Sequence, residues 1–271
     1  MPLELSASAV WAYVAFAALG ACVGSFVGVL APTWSAQLLG QPGHTWAAGL
    51  WRRSACPHCQ QVLRPWHLVP LLSYVGLRGR CAHCAAPIPR RDLAVEVLFA
   101  LAWASMLWRW GWGWPALAWS LWLSVLLLMA WIDGETYWLP DVLTLGLMAV
   151  GLVAATGWGW PVPGLSSWAG AALGYGLLWV VAWSYRRWRG REGLGMGDAK
   201  LLGALGAWLG PWALPSLLWL AAVLGLVWGL AWRWSGKSRA DGAFPFGPAL
   251  VLAGWALVLW PQLARSLGGE P

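Results

Sequence analysis

Apolar runs that approach the length of a membrane-spanning helix recur along this chain. Such a helix needs about 20 mostly apolar residues. Hydrophobic residues make up 60% of the 271 positions and charged residues only 10%, which is too few to cover the surface of an ordinary soluble domain. The runs occupy residues 9–31, 93–109, 115–132, 141–157, 165–185, 199–209, 213–232 and 247–263. We therefore predict an all-α polytopic membrane protein with about eight transmembrane helices, in which the short run 199–209 could instead be half of a broken helix.

The basic residues are concentrated in three polar segments, and this distribution predicts the orientation of the chain. Segments 32–92, 186–200 and 233–239 hold most of the 17 lysines and arginines. If eight spans alternate, all three segments lie on one side, which the positive-inside rule identifies as the cytoplasm. Both termini then face outward, and the net charge of +7 reflects membrane orientation rather than nucleic-acid binding. Because Glu4 precedes the first run where a signal peptide has basic residues, we expect a retained helix.

The long connection between the first two runs contains two C-x-x-C motifs. These are Cys56-Pro57-His58-Cys59 and Cys81-Ala82-His83-Cys84. Four thiolates on two hairpins satisfy the tetrahedral preference of Zn²⁺, and metal binding supplies folding free energy to a small polar segment. Four protein ligands leave no open position for a water, so we predict a structural zinc. Disulfides and a redox motif are the alternatives. A reducing compartment disfavours disulfides, and a redox C-x-x-C normally occurs once and near a βαβ pattern, which this sequence lacks.

Three regions follow from this reading of the chain. Residues 1–31 form the first transmembrane helix, residues 32–92 a cytoplasmic zinc-binding insert, and residues 93–271 the remaining transmembrane core. Cys22 lies inside the first apolar run, apart from the four motif cysteines. We interpret it as a small buried hydrophobic residue.

Acidic residues near the ends of apolar runs are the candidates for catalysis, because a carboxylate in a membrane is costly and usually functional. They are Glu96, Asp133, Glu135, Asp141 and Asp198. Asp133 ends the third run, and Asp198 opens the sixth in the sequence Gly195-Met196-Gly197-Asp198, so both lie on the predicted cytoplasmic side. Two adjacent carboxylates share a proton, so that one acts as general base and the other as general acid.

Helix capping is the alternative explanation for these aspartates. Asp198 precedes an apolar run as an N-cap residue would. Asp141 follows Pro140 at the start of the fourth run and fits capping better than catalysis. The flanking Gly195 and Gly197 favour catalysis, since residues without side chains let a substrate backbone approach Asp198 closely.

Taken together, these segments resemble the type IV prepilin peptidases, bacterial inner-membrane aspartyl proteases of the G-x-G-D group. The matching segments follow the family's order: Gly24-Ser25-Phe26; the cysteine hairpins with Pro70-Leu71-Leu72-Ser73-Tyr74 and Arg78-Gly79-Arg80; Ile132-Asp133 with Leu139-Pro140-Asp141; Gly195 to Lys200; and Pro245-Phe246-Gly247-Pro248. The resemblance implies an endopeptidase that removes the basic leader of prepilins or pseudopilins at the cytoplasmic membrane face. By the same resemblance Asp133 and Asp198 are catalytic, and Cys56, Cys59, Cys81 and Cys84 bind zinc.

Many members of that family also methylate the new N-terminus with S-adenosylmethionine. The first motif departs from the family's pattern here, because Val27 to Trp34 lack its asparagine and its arginine. This departure weakens the prediction of methylation relative to that of proteolysis. Glu96 matches a family glutamate and could serve either activity, or pair with Arg90 or Arg91. A non-enzymatic, zinc-bearing assembly factor of a pilus or type II secretion system is the competing functional hypothesis.

Overall fold

The computed structural model describes residues 7–41, 54–190, 195–234 and 244–264. Throughout these ranges the regular structure is helical, with no named strand. Eight longer helices lie at the eight apolar runs: α1 (Ala7–Leu38), α2 (Arg90–Trp110), α3 (Trp114–Thr136), α4 (Asp141–Trp158), α5 (Gly164–Arg189), α6 (Met196–Leu209), α7 (Leu214–Trp234) and α8 (Gly247–Leu259). A one-turn helix at Leu72–Gly76 and 3₁₀ turns at Pro65–Leu68 and Pro211–Ala213 complete the set. The predicted all-α class is confirmed.

Six of the described helices are long and apolar enough to cross a membrane, so this is a multi-pass membrane protein. The six comprise α1 to α5 and a segment from Pro211 to Ala231 that includes most of α7. The other two are shorter, with 14 residues in α6 and 13 in α8. A count of eight complete crossings therefore stays a prediction.

The chain divides into two compact units, Met1–Ser124 and Val125–Pro271. In the first unit α1 packs on α2 through small residues, since a Cβ at Gly20 would lie 2.5 Å from the Phe99 carbonyl oxygen. Phe16 and Trp103 pack beside this contact with ring centroids 5.6 Å apart. The indole N–H of Trp103 donates to the Ser124 hydroxyl at 3.0 Å, so a buried polar group is satisfied inside the unit.

Helix α1 differs from its prediction in two respects. It continues to Leu38 through Pro32, seven residues beyond the predicted end of the first transmembrane helix. The apolar pattern weakens there, but the backbone stays helical, and the Thr33 hydroxyl donates back to the Val29 carbonyl at 2.8 Å. Cys22 is exposed rather than buried, so that interpretation was wrong. In a membrane helix an apolar residue needs no protein neighbour, because lipid accepts it as readily as a core does.

Helix α6 lies at the centre of the second unit, with ten of its 14 residues buried. Gly206 of α6 and Gly170 of α5 meet backbone to backbone, and a Cβ on either would overlap the other's carbonyl oxygen. The Ser167 hydroxyl donates to the Ala207 carbonyl at 2.7 Å, and the Trp208 indole donates to the Leu147 carbonyl on α4 at 2.8 Å. Close approach over small residues is typical of membrane helix pairs, and here it fixes the helix that carries Asp198.

Candidate active site and metal centre

Asp133 lies near the end of α3 and is buried, with 5% of its surface exposed. Its carboxylate oxygen Oδ2 accepts the backbone N–H of Gly247 at 3.0 Å. Gly247 is the first residue of α8, where backbone N–H groups lack partners within their own helix. A Cβ at Gly247 would lie 2.7 Å from the same oxygen. The amino end of α8 therefore holds the Asp133 carboxylate, and any side chain at position 247 would require that carboxylate to move.

Asp198 is the third residue of α6 and is 9% exposed. The N-cap of this helix is Gly195, and no side-chain hydrogen bond caps it. Asp198 is therefore not the capping residue that the alternative interpretation required. Its carboxyl lies within electrostatic range of Asp133, although 65 positions separate the two in the chain. Helix packing in the second unit thus brings two buried carboxyl groups close to each other.

The two glycines before Asp198 have different surroundings. A Cβ at Gly197 would lie 3.0 Å from the Cβ of Leu139, a buried residue of the connection between α3 and α4. Gly197 therefore lets this connection pack onto α6, instead of leaving space for a substrate as we expected. A Cβ at Gly195 would lie 3.5 Å from Oδ2 of Asp198, an ordinary contact distance.

Asp141 makes an ion pair and no capping bond. Its Oδ1 lies 2.6 Å from the Nζ of Lys200, with side-chain exposures of 57% and 24%. The N-cap of α4 is Pro140, without a side-chain capping bond, so the expected capping role of Asp141 was wrong. Proline at the cap leaves the carboxylate of the next residue free to reach Lys200 on α6. The remaining boundary acid, Glu135, is exposed and accepts the Trp131 indole N–H at 2.8 Å.

The four motif cysteines of the first unit form one cluster, in which all four Sγ atoms lie within 4.8 Å of one another. The Sγ atoms of Cys56 and Cys84 are 3.8 Å apart. A tetrahedral zinc with Zn–S bonds of about 2.3 Å separates its sulfurs by about 3.8 Å. Backbone N–H groups of Cys84 and His83 lower the pKa of Cys81 to about 6. At Cys84 the lowering by the Ala86 N–H is outweighed by burial and the neighbouring cysteines, which raise its pKa to about 11, so the four thiols titrate as one interacting group. The donor set and its spacing fit a four-coordinate metal.

The two hairpins have the same backbone geometry. Gln60 N–H donates to the Cys56 carbonyl at 2.9 Å, and Ala85 N–H donates to the Cys81 carbonyl at 3.0 Å. Gln60 and Ala85 both adopt positive φ angles, of 58° and 57°. One isolated antiparallel bridge closes each hairpin, Ala55 with Val62 and Arg80 with Pro87. The insert therefore contains two hairpins of the same backbone geometry, and their cysteine sulfur atoms lie close together.

Glu96 on α2 holds a strained turn of the insert. Its Oε2 accepts the Leu71 N–H at 2.8 Å, and Leu71 has φ 62° and ψ −51°. The Leu72 N–H donates to the Pro70 carbonyl at 2.6 Å, which makes this a classical γ-turn, a rare and strained conformation. The sequence singled out Glu96 but gave no indication of its bond to Leu71.

A cavity of about 670 Å³ lies in the first unit beside this turn. Its lining includes Ser25 and Gly28 of α1, Tyr74 of the insert and Glu96 of α2. Part of the unusual segment Val27 to Trp34 thus borders a space of the size that small-molecule ligands occupy in proteins.

Two family models match this chain. The model described as "Bacterial Peptidase A24 N-terminal domain" matches residues 18–110, and the one described as "Type IV leader peptidase family" matches residues 120–230. These ranges contain the cysteine cluster and both aspartates, respectively. No solved structure gives a significant match.

Curated relatives carry names that agree with these models. A "Prepilin leader peptidase/N-methyltransferase" of Burkholderia pseudomallei (strain 1026b) is 43% identical over 208 residues, which cover 77% of this chain and 67% of the relative. The protein of the same name from Stutzerimonas stutzeri is 36% identical over 274 residues, covering 96% and 94%. A "Type 4 prepilin-like proteins leader peptide-processing enzyme" of Escherichia coli O78:H11 is 38% identical over 218 residues, covering 76% and 75%.

Proposed function

This chain belongs to the type IV leader peptidase family and is a prepilin peptidase, and on that premise we propose that Asp133 and Asp198 are its catalytic pair. The observation that carries the proposal is the burial of both carboxyl groups within electrostatic range of each other. Neither aspartate caps its own helix, and a buried carboxyl group near a membrane boundary is usually functional. Family membership also favours an enzyme over the non-enzymatic assembly factor.

We assign the general base to Asp133 and the general acid to Asp198. A carboxylate that accepts a backbone N–H is stabilised in its ionised form, and Asp133 accepts the Gly247 N–H. Ionised Asp133 takes a proton from water as its oxygen attacks the scissile carbonyl, while protonated Asp198 donates to the carbonyl oxygen. The C–N bond then breaks as the leaving amine receives the proton held by Asp133. The carbonyl oxygen returns its proton to Asp198, which restores the starting pair.

The substrate is proposed to be the basic leader of a type IV prepilin or pseudopilin, cut at the cytoplasmic face of the inner membrane. The last turn of α5 carries Arg186, Arg187 and Arg189, which the positive-inside rule places in the cytoplasm. The next described helix is α6, and Asp198 lies in its first turn. A leader that stays inside the cell meets the aspartates on that side.

Substitution of each aspartate tests this proposal. Asp133→Asn and Asp198→Asn are each expected to reduce prepilin cleavage by at least about 100-fold, the usual contribution of acid–base catalysis, while the protein still accumulates in the membrane. Glu135→Gln is the matched control, because it removes an exposed carboxylate from the same end of α3 and is expected to cleave normally. Normal processing by either asparagine variant would contradict the catalytic assignment.

We propose zinc as the metal of the four-cysteine cluster, in a structural role. The donor set and the sulfur spacing support it, and four protein ligands leave no open position for catalysis. Elemental analysis of the purified protein is expected to give one zinc per chain. Another metal, or none in protein purified without chelator, would contradict the assignment.

A second activity, N-methylation with S-adenosylmethionine as donor, is supported by the cavity in the first unit. The relatives are named N-methyltransferases, and the cavity has ligand-like size with Glu96 in its lining. A carboxylate there suits a donor that carries a sulfonium cation. When bound, the donor would supply a methyl group to the new N-terminal amine.

Glu96→Ala separates this activity from cleavage. It is expected to weaken S-adenosylmethionine binding, measured by calorimetry, and methyl transfer to the mature pilin N-terminus, while cleavage persists. If the unmodified enzyme cleaves its substrate but transfers no label from a methyl-labelled donor and shows no measurable donor binding, the enzyme is restricted to proteolysis.

A further inference from the structure

The Asp141–Lys200 ion pair lies beside the proposed catalytic pair but has no part in its chemistry. We infer that it is a positioning pair, which holds the amino end of α6 against the α3–α4 connection and so sets the separation of Asp133 and Asp198. The inference rests on the proposed function of the two aspartates, and it adds two residues that act through them.

The contacts occur on both sides of Asp198. Leu139 packs against Gly197, directly before Asp198, and Asp141 binds the Lys200 side chain, two residues after it, at 2.6 Å. Leu139 and Asp141 both follow Asp133 within eight residues, Leu139 on the connection that leaves α3 and Asp141 as the first residue of α4. Two contacts therefore connect the segment that follows Asp133 with the segment around Asp198.

The rest of α6 is fixed by different contacts. Its carboxyl end is held by the bonds from Ser167 to Ala207 and from Trp208 to Leu147. At the amino end no side chain caps the helix, and Ala199 and Leu201 are fully buried. The Lys200 ion pair and the Leu139 packing connect this end to the segment that follows Asp133. Asp198 lies between these two contacts.

The exposure of the pair argues against a role in global stability. With 57% of the Asp141 side chain and 24% of the Lys200 side chain exposed, water screens the attraction, and such pairs contribute little to folding stability. Catalysis is more sensitive, because a displacement of about 1 Å at the reacting groups can cost about 100-fold in rate. A pair that contributes little to stability can therefore contribute much to rate.

Charge reversal with rescue tests the inference. Asp141→Lys and Lys200→Glu are each expected to lower kcat for prepilin cleavage about 10-fold or more, with KM changed by less than about 3-fold. The double variant restores the attraction and is expected to return kcat to within about 3-fold of the unmodified enzyme. Thermal stability in detergent is expected to change little in all three variants. If a reversed variant fails to accumulate, Asp141→Asn and Lys200→Gln are measured instead, with smaller losses of kcat expected.

Three outcomes would overturn the positioning role. They are full activity in the single variants, a double variant as slow as the slower single one, and a shifted pH–rate profile in Lys200→Gln, which would mean that the lysine acts directly on the charge of the aspartates. Asp133→Asn is assayed in parallel. Normal cleavage by that variant would overturn the catalytic assignment itself, whereas an inactive Asp133→Asn beside fully active charge-reversal variants would overturn only the positioning role.

Discussion

The four-cysteine cluster and the aspartate pair are assembled from the chain in different ways. Each cysteine hairpin is closed by short-range backbone bonds, such as the one from Gln60 N–H to the Cys56 carbonyl at 2.9 Å. The Asp133 carboxylate instead accepts its bond from Gly247, 114 residues further along the chain. The cysteine cluster is thus built mainly from local turns, and the aspartate pair is brought together by the packing of helices.

This difference predicts which of the two sites a given substitution disrupts. A change in the packing of α5, α6 or α8 displaces carboxyl groups that have to act together, but it leaves the cysteine hairpins intact. On the proposed zinc assignment, a lost cysteine removes one of four metal ligands, and the metal is expected to supply much of the folding free energy of such a small insert. The two sites are therefore expected to fail independently.

The largest effect is expected when each site is disabled in turn. Asp198→Asn is expected to lose at least about 100-fold in cleavage and to keep its zinc. Cys84→Ser is expected to lose its zinc, because three thiolates no longer satisfy the tetrahedral site, and to lose less cleavage than Asp198→Asn. Zinc content, by elemental analysis, and prepilin cleavage are measured on the same preparations. A folded Cys84→Ser protein as inactive as Asp198→Asn would show that the sites are coupled.

The glycine contact between α5 and α6 is the next test, since it acts on packing alone. The new Cβ of Gly206→Ala would overlap the Gly170 backbone, so the helices must separate. Overpacking of this kind typically costs about 1–3 kcal/mol. We expect lower thermal stability and a loss of cleavage of about 10-fold, with zinc content unchanged. Gly176→Ala on α5 is the control, because no atom lies within 4 Å of its new Cβ. Equal behaviour of the two variants would refute the packing argument.

Gly247→Ala tests the long-range bond to Asp133 more locally. The added Cβ would lie 2.7 Å from Oδ2 of Asp133, so the carboxylate has to move from its donor. We expect kcat to fall about 10-fold, from the loss of one bond to a charged group, with little change in KM or zinc content. Steady-state kinetics measures this effect, with Gly146→Ala on α4, also in open space, as the matched substitution. Unchanged kcat would show that the bond from Gly247 does not contribute to the function of Asp133.

The smallest effect is expected for Ser167→Ala. This variant removes the buried bond to the Ala207 carbonyl, at the far end of α6 from Asp198. Loss of one such bond costs about 1 kcal/mol, so thermal unfolding in detergent should shift slightly and cleavage should stay within about 3-fold. A large loss of cleavage would mean that the carboxyl end of α6 also controls the position of Asp198.

The sequence predicted the parts of this protein that depend on local patterns. The eight apolar runs were found as helices, because a run of apolar residues in a membrane chain has few alternatives. The cysteine motifs predicted the cluster, because C-x-x-C spacing already places two sulfur atoms on one turn. The sequence did not predict that Asp141 binds Lys200, or that Gly197 is packed against Leu139. Those contacts join segments whose proximity no local pattern encodes.

The amino-acid sequence by itself determined the helical membrane class, the four candidate metal-binding cysteines and the two candidate aspartates. Each of these depends on residue type and on spacing within one segment. Only the tertiary structure decided that Asp133 and Asp198 are buried near each other, that the amino end of α8 holds Asp133, and that α6 is fixed by glycine contacts. The physical reason is that a carboxyl group acquires its neighbours from helix packing, and helix packing depends on the whole unit.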